Sequence, residues 1–518
     1  MKMVFGQRIA LVSIVVLAFF LRFCDLGGIP AGFFCDEASI GYNAYSILTK
    51  GVDEYGVSFP VFFRAFGEYK SPVQIYSTVP SIALLGLNEF STRLPSAVFG
   101  GLSVLAIYFL SKELFGHKNE GPIIALFASF FLAVSPWNVH LSRIAFEVMP
   151  FLFFTILGLF LFLRFDHHPW LLIFSVMAFV LAFYSYFPAR IFIPLFTTGL
   201  AIYRLNILLK HKKEVFAGIC LLAILLIPMI KVMFSPAGWA RWQGVSIFSH
   251  PPKQTTIVNH VLKNYFSHFS PDFLFLKGDS GMPGQFITRH SIRDMGELYL
   301  FQLPLLLLGI FFLFKKKERR VLFILLLWFI LYPLGSAFTV DQSAQATRSA
   351  IGVLPFQILS AAGLVYFLNL FRLNFLKWGV VVLFLVVVAV SFQNYLAKYF
   401  LQYPLYSSDF WGWQYGPKET MNYFLAVKGK YDDLYMSGEF NAPDIFLKFY
   451  DPKNTCQNKC KIGDPWRDKE IYTVKRRQLF SLSPEYLHQS GYENRFSIKK
   501  AIYYPNGKIA FLIGEIVI

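Results

Sequence analysis

Adjacent carboxylates, Asp36 and Glu37, sit near the start of GFFCDEASIGYNAYSILTKG, directly after the first apolar segment of the chain. Two roles compete for them. Carboxylates are favoured at a helix amino terminus, where they meet unpaired backbone N–H groups and the positive end of the helix dipole. Capping needs only one of the two, and a carboxylate held on a rigid helix can also take a proton from an acceptor hydroxyl or amine. Further along, Arg64, Lys70, Arg143, Arg190, Arg289 and Arg348 fall in loops or at the ends of apolar segments. Singly, each reads as a snorkelling side chain. Converging on one face, they would suit an anionic ligand, because Arg and Lys are the usual partners of phosphate oxygens. Glu147 follows Arg143 by four residues in RIAFEVMP. That is ion-pair spacing on a helix, and a carboxylate at the mouth of an apolar helix is also a functional candidate. Together these types point to group transfer from a lipid phosphate: a base activates the acceptor, and preorganised cations hold the charge that develops on the departing phosphate. No Walker loop or dinucleotide fingerprint is present.

The elements that must position these groups are apolar. Of 518 residues, 55% are hydrophobic and 15% charged, more apolar surface than a soluble protein of this size can bury. Apolar runs of about 18–20 residues, enough to cross a hydrocarbon core of about 30 Å, recur along the chain. Eleven spans are expected, near residues 9–23, 92–111, 121–137, 148–164, 169–187, 189–204, 215–234, 297–314, 321–338, 348–368 and 375–392. With the amino terminus inside, the cytoplasmic segments include SKELFGHK, RLNILLKHKKE, KKKERR and the stretch around Arg372 and Lys377. The net charge of +17 is therefore mostly membrane topology, read through the positive-inside rule, and does not indicate a nucleic-acid partner. The first span lacks a small-residue cleavage site and is expected to be retained.

This topology leaves three pieces on the outer face: residues 24–91, 235–296 and the tail 393–518. In the first, Ile40, Ala44, Ile47 and Leu48 recur at helical spacing and Gly51 follows as a stop. A second helix is expected from Ser71-Pro72-Val73-Gln74, a capping-box pattern with Pro at its first position. Both helices read as amphipathic and interfacial. In the tail, DDLYMSG and DIFLKFY read as strand-like runs, and Asn506-Gly507 between two β-rich runs as a hairpin. The fold class is an α-helical polytopic membrane protein with about 11 transmembrane helices over 1–392 and a small extracytoplasmic α/β domain over 393–518. Of the five cysteines, Cys24 with Cys35, or Cys456 with Cys460, have disulfide potential in an oxidising compartment, with unpaired thiols the alternative. No zinc-type ligand spacing is present.

The motifs CDEASIGYNAYSILTKG, GEYKSPVQIY, STRLPSAVFGG and SPWNVHLSRIAFEVMP resemble those of the GT-C superfamily of integral-membrane glycosyltransferases, in the branch of protein O-mannosyltransferases and the aminoarabinose transferase. The resemblance covers residues 1–400 in architecture, with its sharp motifs in the first 200. It implies Asp36 and Glu37 at the catalytic centre, with Asp36 as base and Glu37 positioning the acceptor. It also implies Lys70 near the donor phosphate, joined there by Arg143, Arg348 and Arg190, and an acidic role for Glu147 where the family commonly has Asp. The loop GDSGMPGQFITRHSIRDMGELYL adds Asp279, Arg289 and His290 as lower-ranked candidates. WGWQYG at 411–416 is not the Trp-Trp-Asp signature of oligosaccharyltransferases, which argues against whole-glycan transfer to Asn. Glu68 does not directly adjoin Lys70, and no His-rich cage is visible, so no cofactor is assigned and a divalent metal is left open. The implied activity is transfer of a single hexosyl or pentosyl unit from a polyprenyl-phosphate donor to a hydroxyl or amine of a protein, lipid or glycan, on the outer face of a prokaryotic plasma membrane. The rivals are a transporter or flippase for a lipid-linked anion, which would place ionisable groups near the bilayer midplane, and a non-catalytic scaffold.

Overall fold

The computed structural model describes residues 5–116, 120–252, 256–281, 286–340, 344–371, 373–465, 467 and 471–517. Arg372, named above among the inner-face cations, lies outside the described residues. Most of the chain is helical, and each of the eleven apolar segments coincides with one or two helices. Among the described residues, six helices are long and apolar enough to cross a membrane, seven if one bent pair counts as a single span, and four more apolar helices are shorter. The first nine helices, with the hairpin between the second and third, position Asp36, Lys70 and Glu147. They are α1 (Phe5–Phe23), α2 (Cys35–Lys50), α3 (Pro72–Leu85), α4 (Glu89–Phe115), α5 (Gly121–Val134), α6 (Pro136–Ser142), α7 (Val148–Arg164), α8 (Leu171–Ser185) and α9 (Ala189–Tyr203). The α5–α6 pair bends by 57° where Pro136 begins α6. Proline removes a helical donor and disfavours helical backbone in the residue before it, so the break falls at Ser135.

Between α2 and α3 a short hairpin pairs β1 (Phe63–Ala65) with β2 (Glu68–Lys70), Phe63 opposite Lys70. Its two-residue loop, Phe66-Gly67, has positive φ at both positions (53° and 83°), the twist that closes an antiparallel pair tightly. Helix α2 ends as expected, with Gly51 in the left-handed region (φ 70°) donating to the Ile47 carbonyl. It is not a two-faced helix, however. Ala38, Ile40, Gly41, Ala44 and Ile47 are all buried, enclosed by α3, α4 and the tail helix Asp444–Tyr450. A Cβ on Gly41 would come within 2.6 Å of both Phe449 and Thr92, so this position requires glycine for the close approach.

In the tail, five strands form one sheet in the order β4 (Cys460–Ile462), β3 (Asp433–Met436), β5 (Gln478–Leu482), β7 (Ile509–Ile516), β6 (Phe496–Tyr503). β3 runs parallel to β4 and β5, whereas β7 is antiparallel to β5 and β6. The β6–β7 hairpin turns at Asn506-Gly507 as expected. DIFLKFY differs from expectation. It forms helix Asp444–Tyr450, which buries Ile445, Phe446 and Phe449 and packs on α2. Cys456 and Cys460 form a disulfide, whereas Cys24 and Cys35 are free thiols, one exposed and one buried.

Candidate active site

Asp36 occupies the first turn of α2, and the β1–β2 hairpin folds Lys70 over it. Lys70 Nζ lies 2.5 Å from Asp36 Oδ1, with the Lys70 side chain only 5% exposed and that of Asp36 34% exposed. Burial works against the Lys70 ammonium, but Asp36 and Glu147 outweigh it and the pKa is raised, so Lys70 stays charged. Glu147 stands at the entrance of α7 and accepts a hydrogen bond from the Ser71 backbone N–H. Ser71 therefore begins α3 differently from the expected capping box: its side chain makes no cap bond, and Gln74 donates instead to Ser96 Oγ. With Pro72 at the first helical position one orphan donor is already absent, and Glu147 satisfies the one before it.

Asp36, Lys70 and Glu147 line a cavity of about 260 Å³ together with Glu68, Arg289, His290 and Arg348. The turn between α8 and α9 and residues 335–339 and 345–348 close its other walls. Arg289 stacks 4.0 Å above the Phe34 ring and donates to the Trp411 carbonyl (2.7 Å). Stacking of this kind fixes a guanidinium in direction while leaving its charge available to a ligand. Arg190 flanks the cavity, its guanidinium 4.9 Å from the Phe62 ring centre and 5.1 Å from that of Phe187.

Other expected site residues lie elsewhere. Glu37 is fully buried and off the cavity wall. Its carboxylate takes two bonds from Arg93 (2.9 and 2.8 Å) and one each from the Ala145 and Phe34 N–H groups (2.9 and 3.4 Å). Arg143, expected on the phosphate side, is also fully buried. It donates to the carbonyls of Leu21, Arg22, Asp25 and Ile29 and to the Tyr399 hydroxyl, satisfying carbonyls at the end of α1. Asp279 sits behind His290, and Arg64 is exposed over Tyr55. Arg93 and Arg22 had not been singled out. Arg93 also donates to the carbonyls of Leu26, Pro30 and Gly32, and Arg22 to those of Ala18, Leu132 and Ala133 and to Asn138 Oδ1. The available signal was an arginine inside an apolar run, where a charge is too costly to keep without partners. Among the described residues, no three His, Cys, Asp or Glu side chains gather as a metal-binding group.

Glu147 supplies a pH test. Burial pushes its carboxyl up to about 7 from the usual 4.5, against the opposing effect of Lys70. The folded protein thus holds this proton more tightly than the unfolded chain does. The stability contributed is fully present below about pH 4.5 and is lost as pH rises through about 7. Glu147→Gln is expected to flatten the fall in unfolding temperature between pH 5 and pH 8 in detergent. An unchanged pH slope would remove Glu147 as its source.

The description "Dolichyl-phosphate-mannose-protein mannosyltransferase" belongs to the family model that matches residues 69–231, a segment holding Lys70, Arg143, Glu147 and Arg190 but not Asp36. No curated protein matches the chain. Among solved structures, ArnT from Cupriavidus metallidurans bound to undecaprenyl phosphate aligns over 98% of both chains, with TM-score 0.55 and 12% identity. The oligosaccharyltransferase of Archaeoglobus fulgidus in its apo form aligns over 98% of this chain and 74% of its own, with TM-score 0.54 and 13% identity. Identities this low speak for a shared fold. The helical body with its Asp36–Lys70 cavity and the sheet at the carboxy terminus make this chain an integral membrane protein that shares the fold of ArnT and the oligosaccharyltransferase, and residues 69–231 match the mannosyltransferase family model.

Proposed function

We propose that the protein transfers one sugar from a polyprenyl-phosphate carrier to an acceptor hydroxyl or amine. The observation that carries this reading is one cavity in which a base candidate, Asp36, faces the cations Lys70, Arg289 and Arg348. An apolar groove of about 440 Å³ between α8, α9 and helix Lys212–Met233 is of a kind to take the prenyl chain. In a single displacement Asp36 takes the acceptor proton as the acceptor oxygen or nitrogen bonds to the anomeric carbon. The bond from that carbon to the phosphate oxygen breaks, and the phosphate leaves with its new charge held by the cations. The outcome is inversion. Glu37 and Arg143 act as positioning residues, the first for α2 and the second for the end of α1. The cavity is assigned to the extracytoplasmic side of a prokaryotic plasma membrane. Support comes from the basic segments on the opposite face and from the Cys456–Cys460 bridge in the tail.

Purified protein in lipid vesicles, offered undecaprenyl-phosphate mannose, galactose and a pentose with peptide, lipid and glycan acceptors, is expected to release free undecaprenyl phosphate with at least one donor. Release should require an acceptor. Passage of intact donor across the vesicle membrane without release would replace transfer by transport.

A further inference from the structure

Residues 286–292 bring a histidine to the cavity, and residues 277–281 place a carboxylate behind it. His290 lines the cavity and its side chain is 12% exposed, while Asp279 is completely buried. His290 Nδ1 lies 3.3 Å from Asp279 Oδ2, an ion-pair contact without hydrogen-bond geometry, and the same oxygen accepts the Ala346 N–H at 2.9 Å. Asp279 Oδ1 has no hydrogen-bond partner among the described residues. A buried carboxylate with an unsatisfied oxygen is costly unless a positive charge stands beside it. His290 stands beside Asp279 at ion-pair distance. Through Ala346 the same carboxylate also anchors the segment that carries Arg348 to the cavity.

The other cations of the cavity bind phosphate well but release protons poorly. A guanidinium does not deprotonate in proteins, and the Lys70 proton is held by Asp36. Histidine is the side chain that gives up a proton near neutral pH. A carboxylate beside one ring nitrogen leaves the other for a reacting group, the arrangement that a hydrogen bond completes in the catalytic triads of hydrolases.

We infer that His290 is a catalytic acid of the transfer reaction, oriented by Asp279 as its positioning residue and aimed at the phosphate oxygen that loses its bond to the sugar. This rests on the glycosyl-transfer reading above. As the acceptor bonds to the anomeric carbon and Asp36 takes the acceptor proton, the electron pair of the breaking bond goes to the phosphate oxygen, which receives the proton from His290. The products are the glycosylated acceptor and a polyprenyl hydrogen phosphate. His290 is left neutral and Asp36 protonated, and exchange of protons with water restores both. Glu147 and Glu68 also line the cavity, Glu147 with the Lys70 ammonium near it.

The test uses the full-length protein in lipid with the donor that the wild type turns over in the panel above. His290→Ala and His290→Gln are expected to lower kcat by about 100-fold, the lower range for loss of a positioned acid, with donor KM changed by less than about threefold. Added imidazole should restore His290→Ala, which leaves room for it, but not His290→Gln. Asp279→Asn should lower kcat by about tenfold and respond to imidazole in neither direction. A kcat within a few fold of wild type in His290→Gln overturns the assignment. So does an unrescued loss in a His290→Ala protein that unfolds at the wild-type temperature. Absence of phosphate release by the wild type with every donor overturns the transfer reading itself, a result distinct from either.

Discussion

Asp36→Asn is expected to lower glycosyl transfer by about 10²–10⁴-fold, the range associated with loss of a positioned general base. Asparagine keeps the size of the side chain and can still accept from Lys70 Nζ, so the hairpin that presents Lys70 has no reason to move. What disappears is the ability to take a proton. Because about a third of the Asp36 side chain is exposed, its ion pair with Lys70 is screened, and the stability change should be small. Donor binding should survive as well, since Arg289 and Arg348 remain in the cavity. Turnover, donor affinity and unfolding temperature should be measured on the same preparation. A folded Asp36→Asn protein with wild-type turnover would move the base elsewhere, with Glu147 the next carboxylate on the cavity wall.

A second large effect concerns stability. Arg93→Ala leaves Glu37 buried as a charge with only two backbone N–H partners, and strands the carbonyls of Leu26, Pro30 and Gly32. Breaking a fully buried ion pair from one side typically costs about 3–5 kcal/mol. The same logic makes the double variant Arg93→Met with Glu37→Met less damaged than Arg93→Ala alone, because neither charge is then left unpaired. Arg93→Lys should also fail to substitute, since an ammonium cannot meet both Glu37 oxygens and three carbonyls from one plane. Unfolding in detergent, followed by intrinsic fluorescence, would rank the three variants. If Arg93→Ala unfolded with the wild type, the pair would not be what holds the start of α2.

Much of this fold is local in origin and could be read from the chain directly. The apolar segments, the Gly51 stop and the turn at Asn506-Gly507 depend on periodicity and turn chemistry within a few residues of each other. DIFLKFY shows where that stops. Its apolar residues satisfy both a period of two and an i,i+4 spacing, from Ile445 to Phe449, and the choice is made by packing on α2, far away in sequence. For the site, residue type proved more legible than residue role. Asp36 and Lys70 lie 34 residues apart and meet only because a hairpin folds back. Glu37 and Arg143 carry suitable charges, yet both turn inward, because backbone carbonyls and buried N–H groups around the ends of α1 and α2 require them. Arg93 was hidden for the same reason: its four partners, Leu26, Pro30, Gly32 and Glu37, lie 56 to 67 residues earlier and meet it only in the folded chain.

The tail reaches helix α2 through very few intermediaries. Trp413 lies against the Arg93 guanidinium (5.7 Å), Arg93 grips Glu37, and Asp36 is the next residue back; separately, Lys448 pairs with Glu54 at 3.0 Å. Grafting a foreign carboxy-terminal domain onto this body in order to redirect it to new acceptors would therefore disturb the machinery it was meant to leave alone. A working chimera has to keep 411–416 and the inner face of helix Asp444–Tyr450 with the host, and exchange only what lies beyond them.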